Sequence, residues 1–356
     1  MKSILLITSL LTNCCNGVQY WSEPPPPIWE QVYEDVREIA DERHRPGQNI
    51  DLRVAPGLPP ERVEAVATLY ADATSFWSGA FDFPQTISLT VMDESDRGWW
   101  ESITTQESPP LRDDYNLYDA RWFGDARSNK SIGMVGTDHL GMPHIVTVVG
   151  SGVDFEHSGA FSVPLVARHE STHWFQYLAS GSMTEKCVDW KMALFLGYHL
   201  EPEDPRNDLN TNGMACPWLS MPCWFSEGHA ELYTIPFSLH PDRLRGLRIW
   251  QINNKDTLTE DDLLRSLSRT RHNLTTGRHD CTYEIYYPIG LLVNEKLFYD
   301  FGDERINEFW LAIDQPSSAA DPSWHRAFRN TFGMESEDWY VQSAIPYLLD
   351  SFEGRG

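Results

Sequence analysis

The chain has no apolar run long enough to cross a bilayer, few basic residues, no Cys-x-x-Cys pair, and no internal repeat or low-complexity tract. The first absence excludes a helical membrane span, which needs about 20 apolar residues. The second leaves 28 basic against 52 acidic residues and a formal charge of −24. Such a surface repels phosphate and anionic lipid, which excludes nucleic acid as a partner. Solubility or a salty habitat accounts for the excess acid. The third disfavours a four-cysteine zinc site.

What is there begins with an export signal. Lys2 supplies the charge, Ile4 to Leu11 the apolar core, and Asn13 to Gly17 a small polar stop, so residues 1–15 are expected to be a signal peptide. Leu11-Thr12-Asn13-Cys14 resembles the lipobox of bacterial lipoproteins, although Asn13 stands where a small residue is expected. A lipid on Cys14 would be the only membrane attachment; simple secretion is the alternative, and either way the protein is extracytoplasmic. Cys187, Cys216, Cys223 and Cys281 remain. An even number in an exported chain points to two disulfides, with three connectivities open.

The expected class is α+β: a small mixed sheet over a metal-binding helix, then a mainly helical C-terminal part. Ile28 to Glu42 has helical period, and Pro59-Pro60-Glu61 opens a helix running to about Trp77. Strands are expected at Ile50 to Val54, Thr86 to Met92, Ser131 to Val135 and His144 to Val149, with Asp93 to Asp114 a loop. Helices are expected at about 188–197, 226–239, 258–268, 282–300, 303–314 and 335–350. The parts are a signal at 1–15, an N-terminal α/β part at 24–160, metal-site helices with a Cys-containing insert at 161–240, and a helical part at 241–356.

The stretch Val166 to Gln176 contains His169-Glu170-Ser171-Thr172-His173. Residues four apart share a helix face, so both imidazoles can address one metal ion, most plausibly Zn²⁺. Glu170, about 100° round the helix, reaches a water on that ion without ligating it. The rival is a helix whose His are merely solvated or satisfied in the core, and a third ligand decides between them. Trp224-Phe225-Ser226-Glu227-Gly228-His229-Ala230-Glu231 supplies one. Ser226 is expected to cap a new helix, with Glu227 in its first turn and Glu231 on the same face. Two His and one Glu leave one zinc position open. Glu231 can hold the outer N–H of a ligating His.

These residues resemble the gluzincin metallopeptidases, which carry His-Glu-x-x-His on one helix and a zinc-binding Glu on a later one. Trp224-x-x-Glu227-Gly228-x-Ala230 is similar to the corresponding segment of the aminopeptidase branch. The resemblance implies a zincin-like catalytic domain in which His169, His173 and Glu227 bind Zn²⁺ and Glu170 is the general base. Glu231 stands where thermolysin-like members carry an Asp that orients a zinc His. Tyr287-Pro288-Ile289-Gly290 is similar to the branch's Tyr-x-x-Gly, which implies an oxyanion-stabilising Tyr287; the alternative is that Tyr286 or a plain core aromatic stands there. The matches cover roughly 160–300. His173 and Glu227 lie 54 positions apart, longer than in familiar aminopeptidases, and no Gly-x-Met-Glu-Asn segment precedes the metal helix. Aminopeptidase specificity therefore does not carry over. With Gln176 and Ala179 in place of Gly and His, the metzincin pattern is excluded.

The expected activity is peptide-bond hydrolysis on a peptide or protein substrate, with the strand His144 to Val149 aligning it. An inert binding module and a zinc hydrolase of non-peptide substrates are the rivals. Arg168, His229, His279 and Asp280 are expected to be structural or solvent-facing. Asn129 and Asn273 head glycosylation sequons, relevant only in a eukaryotic secretory route. The sequence leaves oligomeric state open.

Overall fold

The computed structural model describes residues 26–43, 49–81, 86–100, 131–137, 143–149, 162–180, 221–237, 259–269, 285–313 and 323–352, with a few isolated positions besides. The signal segment with Cys14, the expected helix at 188–197, the insert, and Cys187, Cys216 and Cys281 lie outside the described residues. Cys223, the described member of the four, is fully buried.

Helix α1 (Ile28–Arg43) is amphipathic and buries Val32, Tyr33 and Val36. Strand β1 (Asn49–Val54) follows, then α2 (Pro60–Ala80), which starts on proline as the missing N–H permits. Strands β2 (Thr86–Met92), β3 (Ser131–Thr137) and β4 (Pro143–Val149) complete a four-stranded sheet of order β1-β2-β4-β3. β1, β2 and β4 run parallel, and β3 is antiparallel to β4. All four expected strands are present. In β2 and β4 both faces are buried, which explains their near-continuous apolar and Thr content. The segment 93–114, expected to be a loop, contains a helical turn at 97–100.

One sheet face carries Leu89, Ile145, Thr147, Gly133 and Val135, matched across the ladder. Helices α2 and α3 (Val163–Ala179) lie against the sheet. Trp77 of α2 stacks on Phe175 of α3 at 4.1 Å and 7°. This pair opens an aromatic cluster with Tyr233, Phe225 and Trp310, whose burial anchors the three layers.

The second half is helical. Helix α4 (Cys223–Leu232) passes into a 3₁₀ turn at Ile235–Phe237. Helix α5 (Glu260–Leu267) starts with a capping box made by Thr259 and Asp262. A minimal hairpin pairs His272–Asn273 with Arg278–His279. A π-helical turn (Ile285–Ile289) leads into α6 (Gly290–Ala312). The helices expected at 282–300 and 303–314 are the two halves of α6, which meet at a kink. Gly302, at φ 78° and ψ 167°, is non-helical and separates them as expected, in a conformation glycine adopts without penalty. Helix α7 (Ser323–Phe332) was not expected from the sequence. The run expected at 335–350 is α8 (Ser336–Trp339), a π turn (Tyr340–Ala344) and α9 (Ile345–Phe352).

Two contacts fix how α6 sits on α4. Gly228 lies so close to Gly290 that an added Cβ would come within 2.2 Å of its carbonyl carbon. Beside this crossing the buried Asn294 amide donates to the carbonyls of Trp224 (3.1 Å) and Gly290 (2.8 Å).

Candidate metal and catalytic centre

Helix α3 begins at Val163-Pro164 and presents His169 and His173 one turn apart. Their rings meet edge to face with centroids 4.7 Å apart. Glu170 turns toward β3 and is buried above Gly133. A Cβ at Gly133 would fall 2.3 Å from Glu170 Cγ and 2.7 Å from Val166 Cγ1. Only glycine lets the strand approach this helix so closely. The Val135 backbone also hydrogen-bonds the Glu170 carboxylate.

Helix α4 brings Glu227 to the same point, but it does not start at Ser226 as expected. Its cap position is Pro222, at φ −64° and ψ 146°, and Glu227 is the fifth helical residue. Pro222 ends the extended backbone, and the apolar Cys223, Trp224 and Phe225 extend the helix backward into the core, so cap preference at Ser226 is overridden. Ser226 Oγ is buried without a hydrogen-bond partner among the described residues.

His169 Nε2, His173 Nε2 and Glu227 Oε2 converge. The two nitrogens are 3.0 Å apart, and Glu227 Oε2 is 3.2 Å from His169 and 3.0 Å from His173. These three residues can hold a metal ion. A tetrahedral ion with bonds of about 2.0–2.1 Å needs donors about 3.3 Å apart. The observed spacing and the two-nitrogen, one-oxygen donor set therefore fit zinc, with a fourth position left open.

Burial pushes Glu227 upward, but the His173 charge and hydrogen bonds from both imidazoles outweigh it and hold this carboxyl well below its usual range. Burial lowers His169, yet the Glu227 hydrogen bond and the charges of Glu231, Glu170 and Glu227 raise it to about 9. The carboxylates thus favour positive charge between the donors. Glu170 is raised, chiefly by burial, against the opposing pull of His169 and His173. A carboxylate whose basicity is lifted is suited to accept a proton near neutral pH.

Around the three donors lies a supporting layer. Glu231 Oε1 is 3.4 Å from His169 Nδ1, on the ring edge opposite the cluster. His173 Nδ1 lies 2.8 Å from Gln176 Oε1. The Gln176 amide nitrogen donates to the Ser226 carbonyl at 2.9 Å and approaches His229 Nδ1 at 3.1 Å. The Trp310 indole N–H approaches His229 Nε2 at 3.3 Å. Burial and the nearby His173 charge hold His229 well below the usual imidazole range, so it is neutral. A neutral imidazole accepts at one nitrogen only, so those last two contacts compete.

The Tyr287 ring is stacked near His169, centroids 6.4 Å apart, while the Tyr286 side chain lies outside the described residues. Arg168 turns away, 3.6 Å from Asp72 and 3.9 Å from the Phe237 ring centre. His229 is fully buried. Asp280 lies outside the described residues. Gln176 and Gly133 had not been singled out from sequence. Gln176 carried a signal, standing one turn after His173 on the same face. Gly133 carried a weaker one, a glycine inside a β-branched strand.

Comparison of the chain with protein-family models, with curated proteins and with solved structures found no match.

Proposed function

We propose that this protein is an exported zinc-dependent peptidase of the gluzincin kind. The observation that carries the proposal is the convergence of His169 Nε2, His173 Nε2 and Glu227 Oε2 within 3.2 Å, with the Glu170 carboxylate buried beside them and outside the donor set. His169, His173 and Glu227 would hold the metal, with Glu231 and Gln176 behind the two rings. Bound there, a zinc ion supplies Lewis acidity and makes a water nucleophilic near neutral pH.

The chain's own groups supply the rest. Glu170, with its raised basicity, takes the proton of the attacking water and returns it to the leaving amine. Tyr287, beside His169, donates a hydrogen bond to the developing oxyanion. The substrate-aligning strand is β3 and not the His144–Val149 strand expected from sequence. That strand, β4, is paired on both sides, by β2 and β3, and has no free edge. Among the described residues β3 is the margin of the sheet, and it carries Gly133 and Val135, which lie against Glu170. An extended peptide added to that edge would pass beside the general base. The two disulfides and the lipid or secreted state belong to the same proposal.

The test is metal analysis with a peptide-library digest on wild type and Glu170→Gln. One zinc per chain in both, with cleavage reduced about 10²–10⁴-fold in the variant, is expected. Equal cleavage by both proteins, or no zinc in either, overturns the proposal.

A further inference from the structure

A metal-ligating imidazole works only if the nitrogen facing the ion has a lone pair, so its proton must sit on the other nitrogen. For His169 the carboxylate of Glu231 faces Nδ1 and holds the proton there. For His173 the atom facing Nδ1 is Oε1 of Gln176, at 2.8 Å.

An amide can be turned either way, and which end faces His173 decides the tautomer. The contact that fixes it is on another helix. Gln176 Nε2 lies 2.9 Å from the Ser226 carbonyl oxygen, which only accepts. Turning the amide over would set two oxygens against each other at that distance, inside the core. The nitrogen therefore faces Ser226, the oxygen faces His173, and an oxygen facing Nδ1 requires Nδ1–H. The opposite arrangement would let His229 donate to the amide oxygen, but it would put the His173 proton on Nε2, among the ligand atoms.

We infer that Gln176 is a positioning residue that transmits the orientation of the Ser226 carbonyl on α4 to the His173 ring on α3, fixing the tautomer that leaves Nε2 free for the metal. The inference rests on the proposed metal centre but concerns a separate feature of it. Ser226 immediately precedes the ligand Glu227 in the chain. The same hydrogen bond that sets the tautomer thus ties the helix bearing the two His to the helix bearing the Glu. The site is competent only when both helices are docked.

The test compares the full-length wild type with Gln176→Glu and Gln176→Leu, using zinc affinity by chelator competition below the unfolding range. Nitrogen-15 histidine spectra of the metal-stripped wild type read the tautomer directly. Both variants lose the donor to Ser226, but only glutamate keeps an oxygen behind His173. Leucine is expected to weaken zinc binding about 10–100-fold. Glutamate is expected to bind zinc more tightly than leucine but less tightly than wild type, because it keeps the oxygen behind His173 and loses the hydrogen bond to Ser226. The stripped wild type should show His173 protonated on Nδ1. Leucine binding zinc like wild type, glutamate as weak as leucine, or a His173 proton on Nε2 alone overturns the inference. Failure of the metal centre has a different signature. Zinc binding would be absent in wild type or indifferent to His173→Ala, while the tautomer spectrum still decides the role of Gln176.

Discussion

Replacing Gly133 with alanine should disable Glu170, the proposed catalytic base, while leaving the proposed metal site able to bind. The added methyl would meet Glu170 Cγ at 2.3 Å, Val166 Cγ1 at 2.7 Å and Glu170 Cδ at 3.0 Å, where ordinary contact begins at 3.4 Å. Relief requires a displacement of about 1 Å, either of β3 away from α3 or of the Glu170 side chain from its place. Displacing a reacting group by that amount costs about 10²-fold in rate. Overpacking of this kind also costs about 1–3 kcal/mol of stability. The three atoms nearest the added methyl belong to Glu170 and Val166, so zinc content should stay at one per chain. The assay is kcat on a peptide substrate beside metal analysis and the urea midpoint. A second variant, Gly133→Ala with Val166→Ala, removes one of the two clashing side chains. It should regain stability without regaining rate, because the Glu170 clash persists. A Gly133→Ala protein with wild-type kcat would refute the claim that this close approach places the base.

The remaining expectations concern the charge balance and the oxyanion. In protein stripped of metal, His169 carries a proton up to about pH 9, against about 6.5 in the unfolded chain. Its contribution is then full below pH 6.5 and is lost as pH rises through 9, a fall of about 3 kcal/mol. Urea titrations across that range should show the fall in stripped protein and a flatter profile with zinc bound; identical slopes would exclude the exchange of proton for metal. Tyr287→Phe should lower kcat about 10²-fold, with KM and zinc content near wild type. A variant with unchanged kcat would mean that the ring near His169 is only a wall.

How much of this was legible beforehand depended on whether the cause was local. The strands at 49–54, 86–92, 131–137 and 143–149 could be read because β-branched runs between turn residues have few other uses. Helix ends were less legible. Ser226 has the chemistry of a cap, yet Pro222 and the burial of Trp224 and Phe225 moved the start of α4 upstream. The break at Gly302 was legible, and there the backbone leaves the helical region at φ 78° and ψ 167°. Helix α7, amphipathic, was missed although Asp321-Pro322 precedes it and Gly333, at φ 77°, ends it.

The sequence by itself determined the pairing of His169 with His173 and the offset of Glu170, because both follow from the pitch of one helix. It also supplied Glu227 and Glu231 as candidates on one later face. Tertiary structure alone decided that Glu227 arrives within 3.2 Å of both rings, that the strand beside Glu170 is β3, and that Gln176 faces His173 in a definite sense. Those depend on contacts between segments far apart in the chain, such as Ser226 with Gln176 and Gly228 with Gly290. Helical period constrains neighbours along the chain. Where two helices cross is set by which side chains are small enough to let them approach, and that depends on both surfaces at once.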